Sequence, residues 1–365
     1  MSEPLAQLQG TTIPLSDAPC RGCADPCDAG HEELPKLDID MSPLLGNVKP
    51  YGRQIVISTP NPDWAREVTE AEGTLAAYLS SAVSAALGTT GQEEKNAPKP
   101  ALTATPAPPG VFDTRADLAR LTRVSIHNGL FPSVSGDGKR ETVLVFPDFK
   151  AVTEVPVSEE GAREVFERVL SPSVPLQALP PTEADRALAG GIKTWFLRYS
   201  CVILICSHKK RDYRCWAVAP QLERAFTQSL EREGFDVHHQ LEDPSLSGPA
   251  LEDDPALASL PALEEDEDED EEARYAEVRR RLQQQQAAEQ RRALVLFCSH
   301  VGQHKFAGNV IVNMPTGAAV WYGRVTPHEV DAIVKETVIR GKVLPALLRG
   351  GLNLCHPGHG SLNDW

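Results

Sequence analysis

Residues 201–215, CVILICSHKKRDYRC, decide how the second half of the chain is read. The run 201–206 is apolar without interruption and too short for a helix, which predicts a strand buried on both faces. A polar, basic loop, SHKKRDYR, follows and carries the chain to Cys215. Helical spacing then covers about 219–233, ends at Gly234, and gives way to a second strand, FDVHHQ (235–240). The tripeptide Cys206-Ser207-His208 recurs as Cys298-Ser299-His300, again behind an apolar run, ALVLF (293–297). Strands NVIVNM (309–314) and AVWYGRV (319–325) come next. The last helix starts at Thr326, where Thr326 as N-cap, Pro327 at the first helical position and Glu329 at the third form a capping box, and it ends near Gly341. Strand–helix–strand, two more strands and a closing helix is the element order of a thioredoxin-like domain, so the fold class is α/β.

Working outward, the chain divides into an arm (1–34), a divergent α/β region (35–184), the thioredoxin-like region (185–349) and a tail (350–365). In the first α/β region, RQIVIST (53–59) reads as a strand and 62–87 as a helix. TRVSIHN (122–128) and TVLVFPDF (142–149) are further strands, and 158–170 has helical spacing. Two insertions interrupt this plan. Residues 89–110 are rich in Pro, Ala, Thr and Gly, and 241–275 is rich in Pro and acid, with an unbroken acidic block at 264–272. Residues 273–292 read as an exposed, partly basic helix.

At 365 residues, with 41% hydrophobic and 24% charged residues, the chain has the composition of a soluble globular protein with room for two cores. No apolar run reaches the roughly 20 residues of a membrane span. A formal charge of −15, with no basic surface in view, argues against a nucleic-acid partner. The first residues, MSEPLAQLQG, have neither a secretory core nor an Arg-rich presequence. The expected compartment is therefore the reducing cytosol, where the eight cysteines serve metal binding, catalysis or packing rather than disulfides.

Residues able to ligate metal near strand ends are Cys206, His208, Cys215, Cys298, His300 and His304. Two thiolates and two imidazoles can complete a tetrahedral zinc site or a mixed-ligand [2Fe–2S] site. Eight residues separate Cys206 from Cys215, a wider spacing than zinc knuckles use, which counts against zinc. Cys298 reads as the last inward residue of its strand, His208 as a loop neighbour, and Trp321 and Tyr322 as packing. Lys209, Lys210, Arg211 and Arg214 read as solvated loop charge. The arm adds Cys20, Cys23, Cys27 and His31, a compact group that reads equally as a second metal site and as free thiols.

The pattern C-x8-C, then H-x-G-x-H followed by KFAGNVIV and WYGRVTP, resembles the sucrase/ferredoxin-like proteins, in particular the actin-patches-distal type of thioredoxin-like ferredoxin. CRGCADPCDAGHEELP and GNVKPYGRQIVISTPNPDW extend the resemblance over most of the chain. It implies a [2Fe–2S] cluster with Cys206 and Cys215 on one iron and His300 and His304 on the reducible one, serving one-electron transfer with a donor and acceptor that the sequence leaves unidentified. The family often has Gly-Gly between its histidines, where this chain has Gly302-Gln303, and its Cys215–His300 gap holds the acidic insertion. Zinc on the same ligands, in an interaction module, and a thiol oxidoreductase are the alternatives. No glycosidase activity is expected. The ending Asn363-Asp364-Trp365 resembles the docking tail of clients of the cytosolic iron–sulfur assembly machinery, except that Asn363 stands where that tail has an aliphatic residue.

Overall fold

The computed structural model describes residues 8, 10–88, 107–114, 121–176, 191–255, 276–284, 291–355 and 358–364. Strand β1 (Arg53–Thr59) leads through helix α1 (Leu75–Leu87) and the short β2 (Val111–Phe112) to β3 (Val124–Leu130), which lies parallel to β1. On the other side of β1, β4 (Arg140–Phe146) runs antiparallel and β5 (Lys150–Pro156) antiparallel to β4. Helix α2 (Glu159–Val165), prolonged by a wider turn to Leu170, closes this unit, and β6 (Lys193–Phe196) pairs with β5. The second half repeats the plan. Strand β7 (Cys201–Cys206), helix α3 (Tyr213–Arg232), the short β8 (Asp236–His238) and β9 (Arg292–Cys298) come first, with β9 parallel to β7. Then β10 (Val310–Asn313) lies antiparallel to β7, β11 (Ala319–Tyr322) antiparallel to β10, helix α4 (Pro327–Ala332) continues to Ile339, and β12 (Leu348–Leu352) pairs with β11.

Both halves thus have the local order parallel strand, first strand, two antiparallel strands: β3-β1-β4-β5 and β9-β7-β10-β11. They are joined through the equivalent strands β3 and β9, antiparallel at Gly129 and Cys298, into one mixed sheet among the described residues. Strand alternation then sorts the core. Ile55 and Ile57 pack with α1 and α2, while Ile203 and Ile205 pack with α3 and α4. The residues between them, Val56 and Val202, Leu204 and Cys206, meet in a third cluster shared by both halves.

The expected strands at 53–59 and 201–206 match β1 and β7, and the capping box at Thr326 is present in full. Strands β5, β6 and β12 are not among the expected ones, and three further elements differ. Helix α1 begins at Leu75, because the Pro-rich start supports only a one-turn segment (Val68–Glu70) and Thr74 supplies the cap, its side chain accepting from Ala77 N–H. Helix α3 starts well before 219: Asp212 caps it, Cys215 sits in its first turn, and Pro220 lies inside it. The insertion after β8 is partly built in, since Leu251 packs with Phe196, Val278 and Leu282, and Glu252 accepts from Thr194 N–H (2.8 Å). Helical residues 276–284 are accordingly exposed on one side only. The acidic block 264–272 and most of the 89–110 insertion lie outside the described residues. No described helix is long and apolar enough to cross a membrane.

Candidate metal centres

Cys206 ends β7, and Cys215 enters α3 after a six-residue loop, so the strand and the helix start bring the two sulfurs together in the shared core cluster. Both are almost fully buried, at 2% and 1% exposure. The Cys215 thiol, and behind it the His300 imidazole, hold Cys206 well below the usual thiol pKa. Cys215 is pushed well above it by the same partnership and by burial.

His300 and His304 come from the loop after β9. Gly302 and Gln303 both adopt left-handed backbone there (φ 84° and 56°), and His304 starts a one-turn segment (His304–Phe306). The two rings lie 5.3 Å apart, and each Nδ1 is buried without a hydrogen-bond partner. Other groups aim the rings. The His300 backbone N–H donates to His208 Nδ1 (3.3 Å), while His208 Nε2 faces the Trp64 carbonyl (3.3 Å). Both His208 nitrogens are thus occupied, and the residue orients its neighbour. His304 Nε2 stands 3.8 Å from Asp212 Oδ2, a carboxylate fixed in turn by Arg214. Cys298, paired with Cys206 on one side and Gly129 on the other, is fully buried and its thiol is pushed well up by burial.

A cleft of about 660 Å³ opens beside these histidines, walled by Lys49, Arg66, Arg123, Arg211, Lys305 and Arg349 against a single acid, Glu67. The basic loop is otherwise spoken for locally. Lys210 donates to the Asp63 carbonyl, Arg211 pairs with Glu67, Arg214 with Asp212, and Lys209 lies over Trp216. Trp321 donates to Tyr51 (2.8 Å), and the Tyr322 hydroxyl pairs with Thr337, so both pack. Two residues unmarked by sequence stand behind the sulfurs. Asn309 Nδ2 approaches Cys215 Sγ at 3.9 Å, and buried Arg349 donates to Asn309 Oδ1 (2.7 Å) and to the Asn47 carbonyl (3.0 Å).

The arm forms a second group, but not the one its spacing suggests. Cys23, Cys27, His31 and His328 have ligand atoms all within 4.8 Å of one another, a Cys2His2 set able to hold a metal ion. Cys20 is not part of it: its side chain packs on the core under α4 and its thiol is raised by burial. His328 arrives from α4, 305 positions beyond Cys23, and nothing local in the sequence marks it. At the tail, Asp364 accepts from the Gly360 and Ser361 N–H groups, and Trp365 lies outside the described residues.

A mixed α/β sheet carrying Cys/His groups at its strand ends and helix starts is the class of protein these observations define. The sucrase/ferredoxin-like family profile matches residues 44–350, and the chain belongs to that family. Among curated proteins it is similar to altered inheritance of mitochondria protein 32 of Clavispora lusitaniae, 25% identical over 240 residues that make up 62% of this chain and 64% of that one. The protein of the same name from Debaryomyces hansenii is 27% identical over 66% of this chain and 73% of its own length. Actin patches distal protein 1 of Saccharomyces cerevisiae is 23% identical over 55% and 48%. The chain thus spans between about half and three quarters of these relatives. No solved structure matches it.

Proposed function

We propose that the protein holds a [2Fe–2S] cluster through Cys206, Cys215, His300 and His304 and acts as a one-electron carrier. The observation that carries this reading is the pair of buried, unpartnered Nδ1 atoms on His300 and His304, beside two buried sulfurs. Buried polar atoms without partners are costly, and metal ligation removes that cost for both imidazoles at once. The eight residues between Cys206 and Cys215 exceed the spacing that zinc knuckles use, which favours the cluster over zinc. The order β11-β10-β7-β9, with β7 parallel to β9 and β10 antiparallel, supports a thioredoxin-like sheet as the frame. The burial of both cysteines opposes thiol oxidoreductase chemistry, which needs an accessible thiolate.

When bound, the cluster supplies a one-electron couple whose potential is raised by two neutral imidazoles in place of thiolates. The chain's own residues do the rest. Asp212 orients His304, and His208 holds the His300 backbone. The shared core keeps water from the sulfurs, while the histidines line the basic cleft where a redox partner reaches them. The cytosol is the proposed compartment, a reducing environment in which the buried Cys206 and Cys215 stay available as metal ligands. Fractionation of cells expressing the tagged protein separates this from the mitochondrial location that two relatives' names raise.

The test is anaerobic purification with iron and acid-labile sulfide analysis and electron paramagnetic resonance. Equal iron and sulfide are expected, and His300→Cys and His304→Cys should each retain the cluster while shifting its spectrum and lowering its potential. An unchanged spectrum in both variants would remove these ligands from the reading.

A further inference from the structure

We propose that Cys23, Cys27, His31 and His328 bind a structural zinc ion that clamps the N-terminal arm onto α4. The donor atoms already stand where a tetrahedral ion needs them. Cys23 Sγ is 3.3 Å from His328 Nδ1, and Cys27 Sγ is 3.4 Å from His31 Nδ1, close to the roughly 3.5 Å between sulfur and nitrogen on one zinc. The two imidazoles meet edge to face at 5.4 Å, so both Nδ1 atoms point into the same space.

A second, independent feature is the surrounding shell. Each histidine turns its other nitrogen to a carboxylate: His31 Nε2 lies 4.0 Å from Asp331, and His328 Nε2 lies 3.6 Å from Glu33. Carboxylate–imidazole pairs of this kind fix the ring and its tautomer in zinc sites. Arg21 Nε donates to Cys23 (3.2 Å). Although burial raises the Cys27 thiol, the backbone N–H groups of His31 and Ala29 bring it below its usual pKa.

Zinc here explains how the arm stays in place. Residues 22–30 are largely Gly, Asp and Pro, without helix or strand, and such a segment has little apolar surface to offset its chain entropy. Beyond His31 the arm runs as a strap along α3, where Glu32 pairs with Arg224 and the Asp38 carbonyl accepts from Arg214. It reaches the loop of His304, where Asp40 pairs with Lys305 (2.9 Å). The clamp therefore anchors the strap that braces that loop.

Metal analysis of the full-length protein expressed with added zinc should find about one zinc per chain, and zinc-edge X-ray absorption should report two sulfur and two nitrogen neighbours. Cys23→Ser with Cys27→Ser, and separately His328→Gln, should lose zinc while keeping iron. Cys20→Ser should keep both. Stripping zinc from the wild-type protein with a chelator should open the arm to trypsin at Arg21 and Lys36. Wild-type protein without zinc, zinc retained in the double serine variant, or a different ligand count overturns the site. Trypsin cleavage unaffected by zinc removal overturns the clamp. Iron content reports separately on the cluster, so failure of one assignment is distinguishable from failure of the other.

Discussion

Arg349 shows how a single buried residue bears on the proposed cluster. Its guanidinium is 1% exposed and brought down to about 10 by desolvation, with the Cys206 and Cys215 sulfurs opposing that shift. A fixed positive charge near the sulfurs favours the more negative, reduced state. Arg349→Met is expected to lower the midpoint potential by tens of millivolts, the scale of about 1–2 kcal/mol for a nearby unit charge at an effective dielectric of about 20. Arg349→Lys should retain most of the original value in the same voltammetry. Glu141 on β4 is one residue through which pH acts on stability, because burial raises its carboxyl to about 7. With the folded pKa above the unfolded value, the folded state holds the proton more tightly. Stability is then fully present below about pH 4.5 and is lost as pH rises through 7. Glu141→Gln should stabilise the protein by about 1–2 kcal/mol at pH 8, allowing for solvent screening, and change little at pH 4. Urea unfolding at both pH values would show it, and equal effects at the two would refute it.

Among the elements, the His300–His304 loop takes two consecutive residues, Gly302 and Gln303, into left-handed backbone. Gln303 sits at φ 56°, where a side chain is strained and glycine is not. Gln303→Gly is therefore expected to raise stability by up to about 1 kcal/mol with the cluster spectrum preserved. Thermal melting and visible absorption check the two halves of that expectation. The helices show where local signals mislead. Helical spacing is legible only from about 219, yet Asp212 caps α3 two turns earlier, and this is what delivers Cys215 on a helix rather than in a loop. Thr74 in the same way takes the start of α1 away from Pro62. A capping side chain decides a helix end only when the backbone around it is free to meet it.

At the scale of the molecule, two units of the same strand order join through a seam of few bonds. Gly129 pairs with Cys298, Ser299 N–H donates to the Asn128 carbonyl (2.7 Å), and Ser299 Oγ accepts from Asn128 N–H (3.0 Å). The cluster behind that seam is larger and shared, with Val56 and Leu144 from one half and Leu204 and Leu296 from the other. Residues 191–365 expressed alone would expose both the β9 edge and this apolar face, and are expected to self-associate. Size-exclusion chromatography decides: a monomeric, well-folded fragment would mean that the halves are independent.

The sequence by itself determined the buried strands, the capped last helix and the placement of Cys206 at a strand end and of His300 and His304 in the loop after β9, because these depend on local apolar runs and turn chemistry; Cys215, read as a loop residue, lies instead in the first turn of α3. The separation of the two CSH tripeptides into one ligand cysteine and one ligand histidine belongs to the proposed reading: Cys206 and Cys298 are buried in the same shared core, and His208 accepts from the His300 backbone N–H. Only the tertiary structure decided that His328 completes the arm's group while Cys20 packs elsewhere. The same holds for Arg349 and Asn309 behind the sulfurs, and for the single sheet that the two halves share. Those pairings join positions from 40 to 305 residues apart, and no local propensity encodes which distant side chain a folded surface brings to hand.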